Sequence, residues 1–387
     1  MTNRWTVLAL LTAARTVMAF QFQAVGAIGP SLGAVYGVGL AEIGFAIGLY
    51  FLPGVVFALP GSAIGARFGD RPVVSFAMVL MAVGAGIMAQ AGNWTVLLIG
   101  QAIAGVGGAL LNVLMTKMIT DWFQGREIAT ALAIFTNSWP LGIALSLVAL
   151  PPLIGIGGAA AGFWLIAVLS AVFAALVFGL YRAPDGGDGP VTRRKPTRAE
   201  TWAALCSGGV WGFFNAGLAI MFGFGTALLV GEGATLERAA LVTSLVVWST
   251  AIVAPFGGMI ADRMARPDLL IAGGLIAMAV LTPVTALSGG HWLLFVLVGM
   301  ASGLIAGVIM SLPGRLLPPP VRSLGMGMFF AVYYVAFVIS PPAGGALSDA
   351  TGSPDAAFWL GGAFQLLALA ALWGYGQAAR RIAAAHA

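Results

Sequence analysis

One basic side chain, Arg15, interrupts the first apolar stretch of the chain about ten residues after Trp5 begins it. At 1.5 Å per helical residue, Arg15 would lie roughly 15 Å deep in a membrane. A guanidinium at that depth costs at least about 2.5 kcal/mol and usually faces a cavity or a partner. All thirteen acidic residues lie in predicted loops or at predicted helix ends. Arg15 therefore predicts a binding site for a small anion that would serve as its counter-ion.

Two other interpretations of Arg15 stay open. Its long side chain could snorkel to the near membrane surface if the first helix begins later than residue 5. It could instead donate hydrogen bonds to the backbone carbonyls of neighbouring helices.

Further polar and aromatic side chains are predicted near the middle of the apolar stretches. Arg15, Phe22 and Gln23 share one helical face and would form one wall of the site. An amide surrounded by lipid needs a hydrogen-bond partner, whereas an aromatic ring could serve only for helix packing. The remaining candidate substrate-binding residues are Asn137, Trp139, Trp211, Asn215, Tyr333 and Tyr334.

The composition indicates which elements position these residues. The 387 residues are 60% hydrophobic and only 8% charged, against about 25% charged in soluble domains. Twelve apolar runs, each about as long as a bilayer is thick, predict an all-α membrane protein with twelve transmembrane helices in two pseudo-symmetric six-helix bundles. The runs fall at residues 5–28, 43–63, 73–91, 94–116, 128–149, 159–180, 202–230, 239–260, 269–287, 292–313, 325–347 and 357–376.

The distribution of charge predicts the orientation. With both termini in the cytoplasm, sixteen of the eighteen Lys and Arg residues fall in cytoplasmic loops or tails, as the positive-inside rule requires of an inner-membrane protein. The longest polar stretch, 181–201, is predicted to be a cytoplasmic linker. It separates an N-terminal bundle, 1–180, from a C-terminal bundle, 202–387.

Two loops half a chain apart resemble each other. After span eight comes Gly258-x-x-x-Asp262-Arg263-x-Ala265-Arg266, and after span two come Arg67, Gly69 and Arg71, with Ala66 where an acid would be expected. This pattern resembles the signature loop Gly-x-x-x-Asp-Arg-x-Gly-Arg of the major facilitator superfamily. The resemblance implies two bundles that rock about a central site. It also implies a cytoplasmic gate formed by Arg67, Gly69, Arg71, Asp262, Arg263 and Arg266. Positive-inside topology alone would also explain a basic loop.

Within that superfamily, the first hundred residues resemble the cyanate and nitroimidazole permeases through Arg15 and the run Gly29-Pro30-Ser31-Leu32. The glycine-rich run from Gly105 to Asn112 resembles nitrate/nitrite porters. Those porters carry substrate arginines in spans two and eight, however, and this chain has no basic residue inside either span.

These observations favour uptake of a small anion by alternating access, in a monomer that binds a small molecule and the lipid bilayer. Efflux of amphipathic or drug-like compounds is the alternative, although Trp139 replaces the glycine of the Gly-Pro motif found in the antiporters. A coupling ion or counter-substrate stays open. A sensor or scaffold would need a soluble output domain or a long tail, and the short tail predicted after Tyr375 argues against it.

Several other classes are disfavoured. His291 and His386 lie at an outer helix end and in the tail, which argues against an enzyme. The single cysteine, Cys206, cannot form a disulfide framework or a cysteine metal site, so we expect no cofactor or metal. The basic residues follow topology rather than a patch, so no nucleic acid is expected. Arg15 interrupts the core of a would-be signal peptide, so cleavage is not expected.

The predicted orientation can be tested in a Cys206→Ser background with single cysteines at Gly187 and Gly233. Gly233 should react with an impermeant thiol reagent added to intact cells, because it lies in a predicted outer loop. Gly187, in the predicted cytoplasmic linker, should not react. Equal labelling at the two positions would contradict the orientation.

Overall fold

The computed structural model describes residues 3–57, 61–123, 127–184, 194–264 and 266–386, and its elements there are α-helices. Their bounds are α1 Arg4–Ala27, α2 Gly29–Tyr36, α3 Leu40–Leu49, α4 Leu52–Phe57, α5 Gly61–Phe68, α6 Asp70–Ala89, α7 Trp94–Phe123, α8 Ile128–Leu180, α9 Arg198–Gly231, α10 Leu236–Arg263, α11 Pro267–Leu287, α12 Trp292–Leu316, α13 Pro319–Thr351 and α14 Asp355–His386.

Eleven helical segments in the described part of the chain are long and apolar enough to cross a membrane. One of them, Thr130–Leu180, has 51 residues and would be roughly 76 Å long if straight, more than twice the thickness of a hydrocarbon core. Its backbone leaves the helical region at Gly157 and Gly158, and Gly158 adopts a φ of 63°. Because α8 therefore contains two crossings, the twelve-span, all-α prediction is confirmed.

The second predicted span, 43–63, is interrupted at residues 50 and 51: α3 ends at Leu49 and α4 begins at Leu52, while residues 58–60 lie outside the described part of the chain. Pro53 has no N–H to donate to the carbonyl of Leu49, so one helical hydrogen bond is missing next to this interruption. The Phe51 N–H donates instead to the Gly48 carbonyl at 2.9 Å. Tyr50 and Phe51 are buried at this break.

Glycines permit equivalent close approaches in the two halves of the chain, α1–α8 and α9–α14. A methyl group at Gly105 would overlap the backbone of Tyr50, and one at Gly303 would overlap the backbone of Thr250. Gly142 lies against the Thr16 carbonyl of α1 in the same way. Small residues suit a membrane interior, where close packing replaces the hydrophobic drive for helix association.

The two ends of the bundle differ in charge. One end, here called the basic end, holds Lys117, Arg182 and Arg315, and the opposite end, the acidic end, holds Glu42 and Asp349. Each ion pair among the described residues joins two side chains of the same half, except for one pair that lies beside the linker. They are Lys117–Asp70 (2.6 Å), Lys117–Asp121 (3.1 Å), Arg4–Glu127 (2.8 Å), Arg194–Glu200 (2.6 Å) and Arg315–Asp268 (3.5 Å).

The halves meet tightly toward the acidic end, where α3 packs against α13. A methyl group at Gly44 would overlap the Pro341 carbonyl, and one at Gly345 would overlap the Leu40 carbonyl. The Asp349 carboxylate accepts the backbone N–H groups of Leu40 (3.0 Å) and Ala41 (2.7 Å). It therefore caps the N-terminus of α3 from the other half of the chain, where a negative charge is favourable.

The flanks of the predicted linker are ordered. The indole N–H of Trp122 donates to the Arg182 carbonyl at 3.0 Å, and Thr197 and Glu200 form a capping box that begins α9. Arg194 holds the Glu200 carboxylate with both terminal nitrogens. Residues 185–193, which are nine of the 21 residues of the predicted linker and include Gly187, lie outside the described part, as does Ala265 of the second signature loop.

The cap on α3 can be tested with Asp349→Ala in the Cys206→Ser background, with a reporter cysteine at Ile43, which is 3% exposed. Loss of two hydrogen bonds to a carboxylate should lower the free energy needed to separate α3 from α13 by about 1–3 kcal/mol. Ile43 should then react faster with a thiol reagent. Asp355→Ala removes the same charge within one half and should leave the rate unchanged. Equal rates in all three proteins would contradict the cap.

Candidate functional site

Arg15 lies on α1, where its partly buried side chain reaches α7 and α8 of the same half. Its Nη1 donates to the Phe135 carbonyl at 3.1 Å, and its Nη2 donates to Asn112 Oδ1 at 3.1 Å. Its guanidinium carbon lies 4.6 Å from the centre of the Phe135 ring and 6.0 Å from that of Trp139. Among the described residues, no carboxylate contacts this cation.

The structure matches one of the two alternatives for Arg15, since its Nη1 donates to the Phe135 carbonyl of a neighbouring helix. The side chain does not extend to a membrane surface, because a carbonyl, an amide and an aromatic ring inside the bundle hold it. Its anion-binding role stays a prediction. Its Nε is buried and has no hydrogen-bond partner. A buried N–H of a cation without an acceptor is costly, so this atom is free to receive a ligand.

Asn112 is the residue that sequence reasoning missed. It lies in the apolar run of α7 and links the halves, because its Nδ2 donates to the Tyr334 hydroxyl of α13 at 3.0 Å. The signal was an amide inside a membrane span, the same signal that singled out Asn137 and Asn215. From the sequence, Asn112 was noted only as the last residue of the glycine-rich run that begins at Gly105.

An aromatic cluster lies next to this polar group and joins the two halves. Phe22 is fully buried at its centre, and its ring stacks on Trp139 at 5.3 Å between centroids. The Phe51 ring lies 4.9 Å from Phe22 and 4.3 Å from Phe337. The cluster also includes the rings of Tyr50, Phe222, Tyr333 and Tyr334, each of which contacts Phe22 or Phe51. Tyr333 and Tyr334 also contact each other.

Three other predicted substrate-binding residues, Gln23, Trp211 and Asn215, lie in different parts of the structure. Gln23 is buried and donates to the Phe222 carbonyl of α9 at 2.8 Å, so it bridges the halves. Trp211 connects to the cluster through Tyr333, with ring centres 6.2 Å apart. Asn215 donates to the Trp211 carbonyl of its own helix at 2.7 Å, which satisfies its amide locally.

Asn137 does not contact Arg15 in this structure, and its contact with the substrate stays a prediction. It lies two residues after Phe135 and two before Trp139, both of which face Arg15. Two residues correspond to about 200° around a helix, so Asn137 points to the opposite side of α8. Its side chain is exposed there, on the same face as Ile134 and Leu145.

The predicted gating residues lie at the basic end. Arg67, Gly69, Asp262, Arg263 and Arg266 are exposed, and none of them forms an ion pair within the described part of the chain. Arg71 is half-buried, and its guanidinium carbon lies 4.7 Å from the centre of the Phe178 ring. The gating role of these residues stays a prediction.

An acid in the first signature loop was also overlooked. Ala66 occupies the expected acidic position, but Asp70, four residues later, accepts a hydrogen bond from Lys117 of α7 at 2.6 Å. Lys117 also pairs with Asp121. The Asp70 carboxylate therefore ties the loop to α7 of its own half through Lys117.

The described residues contain no group of three or more His, Cys, Asp or Glu side chains that could hold a metal ion. The central polar atoms belong instead to one cation, one amide and hydroxyl groups. Such a set can donate hydrogen bonds to an anion but offers no charged acceptor to a cation.

Sequence comparison finds relatives among transport proteins. An inner membrane transport protein, YajR, of Escherichia coli K12 is 29% identical over 37% of this chain and 31% of its own length. A probable nitrate/nitrite antiporter, NarK1, of Thermus thermophilus is 26% identical over 76% of this chain and 69% of its own. A hexuronate transporter of Bacillus subtilis is 28% identical over 36% and 32%. The match to YajR thus spans about a third of that relative.

Solved structures share the fold across nearly the whole chain. A bacterial homologue of the human lysosomal transporter Spinster, in an inward-facing and occupied conformation, superposes with a TM-score of 0.79 at 16% identity, covering 98% of this chain and 97% of the other. The inward open xylose transporter XylE of E. coli gives a TM-score of 0.76 at 14% identity, covering 96% of each chain.

The family model supplies the last comparison. It matches residues 11–236 and again residues 202–383, so that almost all of the sequence is included. This agrees with the signature loops, with the twelve crossings and with the shared fold. The chain belongs to the Major Facilitator Superfamily.

Proposed function

We propose that this transporter carries a small anion, inorganic or organic, across the inner membrane and that Arg15 is its charge partner. The observation that carries the proposal is the composition of the central site. Among the described residues, a guanidinium inside the bundle has neutral partners only, and one of its N–H groups is buried without an acceptor. A monovalent anion would supply both the missing charge and the missing acceptor.

The names of two relatives support the same class of substrate. The Thermus protein is named for nitrate and nitrite, and the Bacillus protein is named for hexuronate, which is a carboxylate. Nitrate, nitrite and carboxylates are planar anions that can accept two parallel hydrogen bonds from a guanidinium. The resemblance to cyanate permeases, which rests on Arg15 and the run after it, points to another small anion.

The proposed mechanism is alternating access. The N-terminal bundle, 1–180, and the C-terminal bundle, 202–387, would rock about the central site, joined by the linker 181–201. Both termini and the basic end would face the cytoplasm. Separation of the two loops at the basic end would expose Arg15 to that side, while contacts between α3 and α13 keep the acidic end closed. Uniport, anion exchange and symport are all compatible with this arrangement.

Efflux of amphipathic compounds is the second candidate. The aromatic cluster around Phe22 favours it, because rings from both halves could adapt to an apolar substrate. This candidate gives no role to the free Nε of Arg15. An organic cation would also meet the guanidinium without a neutralising acid nearby, which is electrostatically unfavourable.

The charge partner is tested with purified wild-type protein, Arg15→Ala, Arg15→Lys and the matched control Arg182→Ala, which removes an exposed arginine at the basic end. Thermal shifts should be measured against nitrate, nitrite, cyanate and small carboxylates, because a ligand at 100 times its Kd adds about 2.7 kcal/mol of stability. Arg15→Ala should lose the shift, Arg15→Lys should keep a weaker one, and Arg182→Ala should match wild type. Full affinity in Arg15→Ala, or a cation as the best ligand, would make efflux the preferred function.

A second variant would place a carboxylate next to Arg15 and so neutralise the positive charge of the site. Asn112→Asp would place a carboxylate oxygen where Oδ1 now accepts a hydrogen bond from Arg15 at 3.1 Å. The new ion pair should compete with a bound anion and weaken its binding by tenfold or more, while the melting temperature without ligand is kept or raised. Asn93→Asp serves as the control, because it adds the same charge at an exposed position before α7, where the Asn93 side chain accepts the Val96 N–H at 3.0 Å. Equal losses in the two variants would argue against a site centred on Arg15.

A further inference from the structure

The hydrogen bonds around Arg15 have a fixed direction. A guanidinium can only donate, so Asn112 must turn its oxygen toward Arg15 and its NH2 group toward Tyr334. The Tyr334 oxygen therefore accepts, and its own proton must be given to a further acceptor. Within the described part of the chain, Tyr334 has no such acceptor.

Two donors on either side of Asn112 are therefore unused. One is the buried Nε of Arg15 in the first half of the chain, and the other is the hydroxyl proton of Tyr334 in the second half. Tyr334 is 3% exposed, so water from outside the bundle does not readily serve it. Its ring is fixed by α4, because a methyl group at Gly54 would overlap it.

We infer that Tyr334 is a specificity-determining residue, whose hydroxyl donates to the same anion that Arg15 holds through Nε. This inference rests on the proposed function. The substrate class that fits is a planar oxyanion with at least two acceptor atoms, because one acceptor would face the guanidinium edge and another the hydroxyl. A spherical halide offers no separate, directed acceptors, so it should gain less from Tyr334.

The arrangement also assigns Asn112 a positioning role. Its amide fixes the orientation of the guanidinium and of the tyrosine hydroxyl through two hydrogen bonds, both 3.0–3.1 Å long. Since Arg15 and Asn112 lie in one half and Tyr334 in the other, a bound oxyanion would contact both halves at once. Binding would then be sensitive to how the halves are arranged.

The test compares nitrate and acetate with chloride on purified protein, by titration calorimetry or thermal shift. The variants are Arg15→Ala, Tyr334→Phe and the control Tyr36→Phe, which removes a hydroxyl that donates to the Ala91 carbonyl at 2.9 Å outside the central site. Tyr334→Phe keeps the ring and removes the donor. It should weaken nitrate and acetate binding about 10- to 100-fold, with chloride binding changed less than about threefold. Tyr36→Phe should bind as wild type does.

Each outcome separates the inference from the proposed function. If Arg15→Ala loses binding while Tyr334→Phe binds nitrate and acetate like wild type, the inference is overturned and the anion proposal stands. An equal loss of nitrate and chloride in Tyr334→Phe, or a matching loss in Tyr36→Phe, would also overturn it. If wild-type protein binds none of the three anions or the other small anions of the thermal screen, the proposed function fails, and the inference fails with it.

Discussion

The central constraint on this protein is a guanidinium inside a bundle whose described residues provide no carboxylate to neutralise it. Water is scarce at that depth, so the protein itself must provide the solvation of Arg15. It does so with a backbone carbonyl, an amide oxygen and the face of an aromatic ring. These groups stabilise the cation without cancelling its charge, which leaves the centre receptive to an anion.

The positions of the surrounding helices follow from that requirement. Gly142 lets α8 approach the Thr16 carbonyl of α1, so that Phe135 and Trp139 reach the guanidinium. The break at Tyr50 and Phe51 turns two rings of the second span inward, against Phe22 and the helix α13. Polar and aromatic contacts between the halves thus lie side by side, while Asp349 joins the halves again at the acidic end.

Much of the fold could be predicted from the sequence, because hydropathy and charge are local signals. The number of crossings, their approximate ends and the family were predicted and are confirmed. The break in the second span was missed, although Pro53 lies next to it. Arg15 was singled out by its depth, whereas its partner was not identified. Which of Asn112, Asn137 and Asn215 meets Arg15 depends on helix rotation, and spans that are apolar on every side carry little information about rotation.

Because the charge of Arg15 is not neutralised, the electric field across the membrane would act on it. An elementary charge that crosses the full membrane field changes its energy by about 2.3 kcal/mol per 100 mV. An empty centre would present a positive charge to that field, whereas a centre occupied by a monovalent anion would be neutral. The voltage would then act mainly on conformational changes of the empty protein, so the residue proposed to bind the anion would make those changes electrogenic.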